Sequence, residues 1–354
     1  MDKKFRVGLI GCGGIAKAAH IPSYLLEKRA EVVAVCDIIQ ERAEGVKKTV
    51  FHNASVYTDY KDLLKDESID YVDICVPNYM HSVIAVDALN AGKHVLCEKP
   101  DAVSVEKALE MKEAAERNGK TLMVIRNNRF IDTSKRIKEM AEEGFFGEFY
   151  AGRCGWIRRR GIPGKGGWFT TKAQSGGGPL IDLGVHMIDL AVWFMGNPKP
   201  VAVTGNTFCK FADAEVMDSP ESKFGDTVEN GTFDVEDLAM GAIRFDNGAV
   251  LQIEFSWASN IKKEIRFVEL RGERAGLSWN GGNAEVYYEE KGKQKNKKVG
   301  GNPVKLPHKV NISHFIDVLE GKAEPVFVPD QGIDMIRILT AIYESAETGK
   351  EVRL

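Results

Sequence analysis

Short apolar runs alternate with amphipathic stretches from residue 5 to about 125. Phe5 to Ile10, Val32 to Cys36, Tyr71 to Val76, His94 to Cys97 and Thr121 to Ile125 read as strands. Apolar residues recur with helical spacing over Ser82 to Ala91 and Val105 to Ala115. Strands this rich in Val, Ile and Cys are covered on both faces, and their alternation with helices predicts a parallel sheet. After residue 125 the pattern changes. Asp234 to Phe245 and Ala249 to Trp257 alternate faces around Asp246-Asn247-Gly248, a strong hairpin signal. Strand-like runs follow at Lys263 to Arg271 and Ala284 to Glu290, then helical segments at His308 to Glu320 and Gln331 to Thr348, the last stopped by Gly349. The pattern predicts an α/β chain of two domains: a nucleotide-binding parallel sheet over 1–125 and an α+β domain with an antiparallel sheet over 126–354.

Bulk properties narrow the function classes. The chain has 354 residues, 44% of them hydrophobic, enough for two cores. Its net charge of -3 leaves no basic footprint for nucleic acid, so Lys291 to Lys298 reads as a solvated hairpin or loop. No run is long and apolar enough for a membrane span, and Met1-Asp2-Lys3-Lys4 leads into a strand without an apolar leader, so a cytoplasmic protein is expected. Six cysteines without C-x-x-C spacing indicate neither a disulfide framework nor a zinc site.

The first strand ends in Gly11-Cys12-Gly13-Gly14-Ile15-Ala16, a G-x-G-x-x-A turn opening a helix, and Asp37 follows about 20 residues on, at the end of the second strand. Gly11 suits a tight turn, Gly13 permits backbone to approach a pyrophosphate, and Ala16 lets helix pack closely on strand. Amides at the helix start then face the phosphates. A carboxylate at Asp37 accepts ribose hydroxyls and repels a 2′-phosphate, which favours NAD, while Arg42 one turn on keeps NADP open.

Leu180 to Met195 is apolar almost all round, yet Asp182, His186 and Asp189 interrupt it on one stripe. Buried ionisable groups need partners, water or a site. The stripe fits a catalytic set, carboxylates that satisfy a core histidine, or metal ligands, although no second ligand cluster accompanies it. Ser175-Gly176-Gly177-Gly178-Pro179 before it offers a close-approach loop and a proline in the first turn. Lys99 ends the strand at His94 to Cys97, on the edge of an open α/β sheet where ligands bind.

Together GCGGIA, VPNYMH, AGKHVLCEKP and GGGPLIDLGVHMID, with the closing HFIDVLEGK and YESAETGK, resemble the Gfo/Idh/MocA oxidoreductases over essentially the whole chain. The resemblance implies an N-terminal Rossmann domain and a C-terminal domain whose large open antiparallel sheet forms homodimer or homotetramer contacts. It implies that Lys99, Asp182 and His186 form the catalytic set, that Pro77, Asn78 and His81 lie on a loop along the cofactor, that Glu98 lies beside the nicotinamide ribose, and that Trp168 lies near the nicotinamide. With Gly11, Gly13, Gly14, Ile15, Ala16 and Asp37 these complete the expected cofactor site; no metal is implied. The implied reaction is hydride transfer between NAD(P) and a secondary ring alcohol of a sugar, sugar derivative or inositol. By residue type, Trp156, Trp168 and Phe169 offer flat apolar surface for such a ring, with core packing an equal reading for Trp156 and Phe169. The segment Arg158 to Gly167 departs from better-known members and is expected to shape the substrate mouth, with Arg158-Arg159-Arg160 as a phosphate or carboxylate contact or a solvated basic loop. A non-catalytic NAD-binding sugar sensor and an NAD-recycling glycosidase or lyase are the competing functions.

Overall fold

A computed structural model describes residues 4–217, 219–302 and 304–354, so Met1 to Lys3 of the N-terminal run lie outside the described residues. The chain divides into two compact units, Met1–Asn127 with Leu306–Ile333, and Asn128–Lys305 with Asp334–Leu354.

In the first unit, β1 (Phe5–Ile10) leads through a π-helical segment, Ala16–His20, into α1 (Ile21–Leu26). Then follow β2 (Ala30–Cys36), α2 (Gln40–Thr49), β3 (Ser55–Tyr57), α3 (Tyr60–Leu64), β4 (Tyr71–Ile74), α4 (His81–Asn90), β5 (His94–Cys97), α5 (Val105–Asn118) and β6 (Leu122–Val124). The six strands pair in parallel in the order β3-β2-β1-β4-β5-β6. This order reverses between β1 and β4, the place where doubly wound sheets open a ligand crevice. Helix α5 shows why these elements form. Ser104 Oγ accepts the Lys107 amide at 3.3 Å, Ala108, Met111, Ala114 and Ala115 are buried at helical spacing, and Gly119 ends the helix at φ 58°. The short edge strand β3 carries too little apolar pattern to be visible in the sequence.

The second unit contains α6 (Asp132–Glu142), β7 (Phe149–Ile157), α7 (Lys172–Ser175), α8 (Val185–Phe194), β8 (Pro200–Phe208), β9 (Leu238–Phe245), β10 (Val250–Ser256), β11 (Ile265–Gly272), β12 (Ala275–Asn280), β13 (Asn283–Glu290) and β14 (Lys293–Val299). Helices α9 (Pro307–Leu319) and α10 (Pro329–Thr348) and strand β15 (Val352–Arg353) complete the chain. Nine strands form one sheet, β14-β13-β12-β11-β7-β10-β9-β8-β15. The expected antiparallel sheet is therefore mixed: β7 and β10 run parallel, and the other pairs are antiparallel. The helical stretch after β7 leads into β8, and two antiparallel steps, β8 to β9 and β9 to β10, then bring β10 alongside β7 in the same direction. The sequence pattern also passes over β7, whose Gly152 and Gly155 break the apolar alternation because neighbours lie where side chains would be. A Cβ at Gly152 would meet Leu270 at 2.4 Å, and one at Gly155 would meet the Glu254 carbonyl at 2.7 Å.

The β9–β10 hairpin turns where expected, with Gly248 at φ 85° and a Gly248 amide to Phe245 carbonyl bond of 3.0 Å. The lysine-rich run is the exposed edge strand β14, joined to β13 by a turn at Lys291 and Gly292, both with positive φ. Charged edges of this kind discourage pairing with further strands. Helix α8 packs on β7 and β11. The segment around α9 packs with the first unit, a return that a simple division at residue 125 does not describe. Its Phe315 is fully buried against Tyr71 of β4, ring centroids 5.2 Å apart and edge to face, while Arg29 donates to the Ser313 carbonyl.

Candidate active site

At the end of β1, Gly11 sits at φ 95°, and a Cβ there would fall 2.3 Å from the Cys75 carbonyl oxygen. Only glycine satisfies both the turn and the close approach. Around Gly13 there is open space, whereas Ala16 is fully buried under the helix start. The Asp37 carboxylate accepts the Cys12 amide at 2.8 Å and the Ile39 amide at 2.9 Å. It thus ties the glycine turn to the end of β2, and each oxygen keeps a further lone pair for a hydroxyl donor. Ile38, the next residue, is 90% exposed and brings no positive charge. Open backbone at Gly13, helix-start amides at Gly14 and Ile15, and an acceptor at Asp37 fit an adenine dinucleotide with an unmodified ribose.

At the end of β5, Glu98 is buried and heavily engaged. Its Oε1 receives His20 Nε2 at 2.8 Å and His308 Nε2 at 3.2 Å, and its Oε2 accepts the Lys99 amide at 3.1 Å. The other face of His20 meets Asp73 at 2.7 Å, and Tyr24 donates to the same Asp73 oxygen at 2.8 Å. Burial opposes charge on the His20 ring, but the Asp73 carboxylate and its hydrogen bond raise the ring's pKa well above the ordinary histidine range. Burial likewise works against the Glu98 carboxylate, and the hydrogen bonds from His20 and His308 overcome it, holding its pKa well below the usual range. Sequence reasoning missed His20, Asp73 and His308. Asp73 carried a signal, a charge inside an otherwise apolar central strand.

Lys99 is half-buried after β5. His81 is turned into the protein, its ring nitrogens 2.7 Å from the Pro100 carbonyl and 2.9 Å from the Val76 carbonyl, so it ties the loop of Pro77 and buried Asn78 to the cis Lys99-Pro100 peptide.

In the second unit the helix carrying the polar stripe opens with a π-helical segment, Leu180–Gly184, before α8. From Leu180 to Ala191 every residue is buried except Asp182 and His186, which are half-exposed. Asp189, the third member of the stripe, does not share their exposure. It is buried in a bidentate pair with Arg129, at 2.9 and 2.7 Å. Asp182 accepts the indole N–H of fully buried Trp257 at 3.0 Å. The loop before the helix makes its close approach to protein: Glu236 accepts the amides of Gly178 at 3.0 Å and Leu180 at 3.1 Å, and Tyr343 donates to it at 2.8 Å. Burial raises the Glu236 carboxyl pKa despite these donors. Trp168 is half-exposed and stacked on Phe169 at 3.8 Å, while Phe169 is buried against Phe224 as core. Trp156 lies 6.1 Å from the His186 ring. Of the arginine run, Arg158 is buried, whereas Arg160 lies over Phe211 and donates to the Ser259 carbonyl and Asn260.

All six cysteines are free, and burial pushes the Cys12 and Cys36 thiols up to about 12. No helix among the described residues is long and apolar enough to cross a membrane.

Residues 5–126 match the oxidoreductase family with an NAD-binding Rossmann fold, and residues 134–278 match the GFO/IDH/MocA C-terminal domain. The chain is 34% identical over 350 residues to D-glucoside 3-dehydrogenase of Escherichia coli (strain K12), covering 99% of this chain and 97% of that protein. It is 29% identical over 360 residues to the scyllo-inositol 2-dehydrogenase (NADP(+)) IolW of Bacillus subtilis (strain 168), covering 99% and 96%. The fold resembles that of levoglucosan dehydrogenase in complex with NADH and levoglucosan, with a TM-score of 0.84, 23% identity and 99% coverage of both chains. The chain belongs to the Gfo/Idh/MocA family of oxidoreductases.

Proposed function

We propose that this chain is an NAD-dependent dehydrogenase that oxidises a secondary ring hydroxyl of a sugar, sugar derivative or inositol. The observation that carries the reading is the pair Asp182 and His186, the two half-exposed positions in an otherwise buried stretch of helix. Similarity to dehydrogenases named for glucosides and an inositol supports the substrate class.

The nicotinamide, when bound, supplies the hydride acceptor. Gly11, Gly13, Gly14, Ile15 and Ala16 would seat the pyrophosphate, Asp37 would take the adenosine ribose, and Pro77, Asn78, Glu98 and Trp168 would line the cofactor towards its nicotinamide end, with His81 holding that loop. His186 removes the hydroxyl proton as the carbon–hydrogen bond breaks, acting as the general base. Asp182, anchored by Trp257, orients the imidazole and stabilises its protonated form. Lys99 donates a hydrogen bond to the reacting oxygen and favours its developing negative charge.

The test is NADH absorbance of purified protein with a panel of pyranoses, anhydrosugars, inositols and glycosides, alongside product analysis. Net NADH with one stereochemical class is expected. Altered product without NADH would instead identify cofactor recycling, and sugar binding without turnover a sensor. We further propose a cytoplasmic homodimer or homotetramer assembled through the nine-stranded sheet. Exposed Phe208, Met240 and Ile265 on its strands support the assembly, and light scattering after gel filtration tests it.

A further inference from the structure

We infer that the second unit holds an anion-recognition subsite beside His186, built from Arg158 and Arg266, and that the ring substrate carries a carboxylate or phosphoryl group. The inference rests on the dehydrogenase reading above and adds the charge of its substrate.

The register of the sheet assembles the site. Trp156 on β7 stands directly opposite Arg266 on β11, and the next residues on the same face, Cys154 and Val268, form another opposed pair and are fully buried. Arg158 lies just beyond the end of β7. The Arg266 guanidinium carbon is 4.8 Å from the centre of the Trp156 ring, and that of Arg158 is 4.9 Å from it. The same ring lies 6.1 Å from His186. Two cations therefore share one indole, and that indole neighbours the proposed base.

Neither cation has a carboxylate within ion-pair distance among the described residues. Arg158 is only 6% exposed, and among the described residues its one side-chain hydrogen bond runs from Nη1 to the Gly161 carbonyl at 3.1 Å and its Nε has no acceptor. Glycine at 161 makes room for it, since a Cβ there would meet Arg158 Cδ at 2.9 Å. The acid near Arg266 is Glu264, whose carboxylate already accepts the Trp156 indole N–H at 2.7 Å. Burial and the charge of Arg158 both act to lower the Arg266 pKa, against Glu264. An arginine cannot shed its proton to relieve such a site. Stacking on an aromatic ring offsets only part of the desolvation cost of a buried cation. An incoming anion supplies what is missing, accepting paired N–H bonds from guanidinium groups at fixed positions. Arg159 and Arg160 do not share this role: Arg159 is exposed, and Arg160 is committed to the Ser259 and Asn260 loop.

The experiment compares kcat/KM for D-glucuronate, D-glucose 6-phosphate and methyl glucoside with NAD, in the parent protein and in Arg266→Gln, Arg266→Lys and Arg158→Gln. At least one charged sugar is expected to exceed the neutral one by about tenfold or more, and whichever does so assigns carboxylate or phosphoryl recognition. Each glutamine variant should lower the charged-to-neutral ratio by about tenfold or more, and Arg266→Lys by less. Circular dichroism checks folding, and if Arg158→Gln unfolds, the half-exposed Arg266 position carries the test. A parent ratio near one overturns the inference. So does an equal loss for charged and neutral sugars, which would mean that the guanidinium groups only hold Trp156 in place. If no sugar yields NADH, calorimetric titration with the same sugars decides. Charged sugars that bind the parent but not Arg266→Gln would sink the dehydrogenase reading and leave the subsite standing, and no difference in binding would sink the subsite.

Discussion

Asp37 shows how one side chain can serve fold and specificity together. Its carboxylate joins the glycine turn to the end of β2 through the Cys12 and Ile39 amides, in the position where a ribose would be read. NAD is expected to bind more tightly than NADP, and Asp37→Ser should narrow that preference by removing repulsion of a 2′-phosphate. Loss of the two amide contacts should also lower stability by about 1–3 kcal/mol, measured by denaturant unfolding. Equal affinities for the two cofactors in the parent protein would count against this assignment. For the proposed chemistry, His186→Ala and Lys99→Ala should each lower turnover by about 10²–10⁴-fold with NAD affinity largely retained, whereas Asp182→Asn should be milder. Folded, NAD-binding variants at both positions with near-normal turnover would refute those roles. The residue types at these positions were legible in the sequence. Their partners were not, and Asp189, expected in the same stripe, belongs to a buried pair with Arg129.

At the scale of elements, His20 closes the π-helical segment that follows the glycine turn and joins it to β4, β5 and α9 through Asp73, Glu98 and the shared contact with His308. Its folded pKa lies above the ordinary 6.5, so its contribution to stability is complete below about pH 6.5 and is lost as pH rises through the folded value. Glu98 behaves oppositely: with a folded pKa below the ordinary 4.5, it contributes fully above about pH 4.5 and loses that contribution as pH falls through the folded value. The gap in melting temperature between the parent protein and His20→Gln should therefore be widest near pH 6 and shrink at alkaline pH. A gap that stays constant from pH 6 to 9 would show that the buried ring carries no charge. The hairpin at Asp246-Asn247-Gly248 and helix α5 were readable beforehand, because their signals are caps and turns within a few residues. Strand β7 was not, because its glycines answer to neighbours on other strands.

At the scale of the whole molecule, the chain returns to its first unit after completing most of the second. The apolar face of α9 is part of the first core, and Phe315→Ala should cost about 3–5 kcal/mol by opening a cavity against Tyr71. Hydrogen exchange should locate that loss in β1 and β4. A uniformly small effect would place the α9 face outside the cooperative core.

What the sequence determined by itself is what contiguous residues encode: the parallel strands and their helices, the glycine turn with its acidic partner, the hairpin, and the motifs that mark the family. These follow from backbone preferences and from the period of apolar positions, which act within a few residues. Tertiary structure alone decided what the polar groups touch. Cys12 and Asp37 are 25 residues apart, Arg129 and Asp189 60, His20 and Glu98 78, and Glu98 and His308 210. It also decided that Arg158 is buried beside Trp156 while Arg159 is exposed, since that choice depends on the register of β7 against β11. Burial makes a charge costly wherever it lies, and only the folded chain shows which distant residue, or which ligand, relieves it.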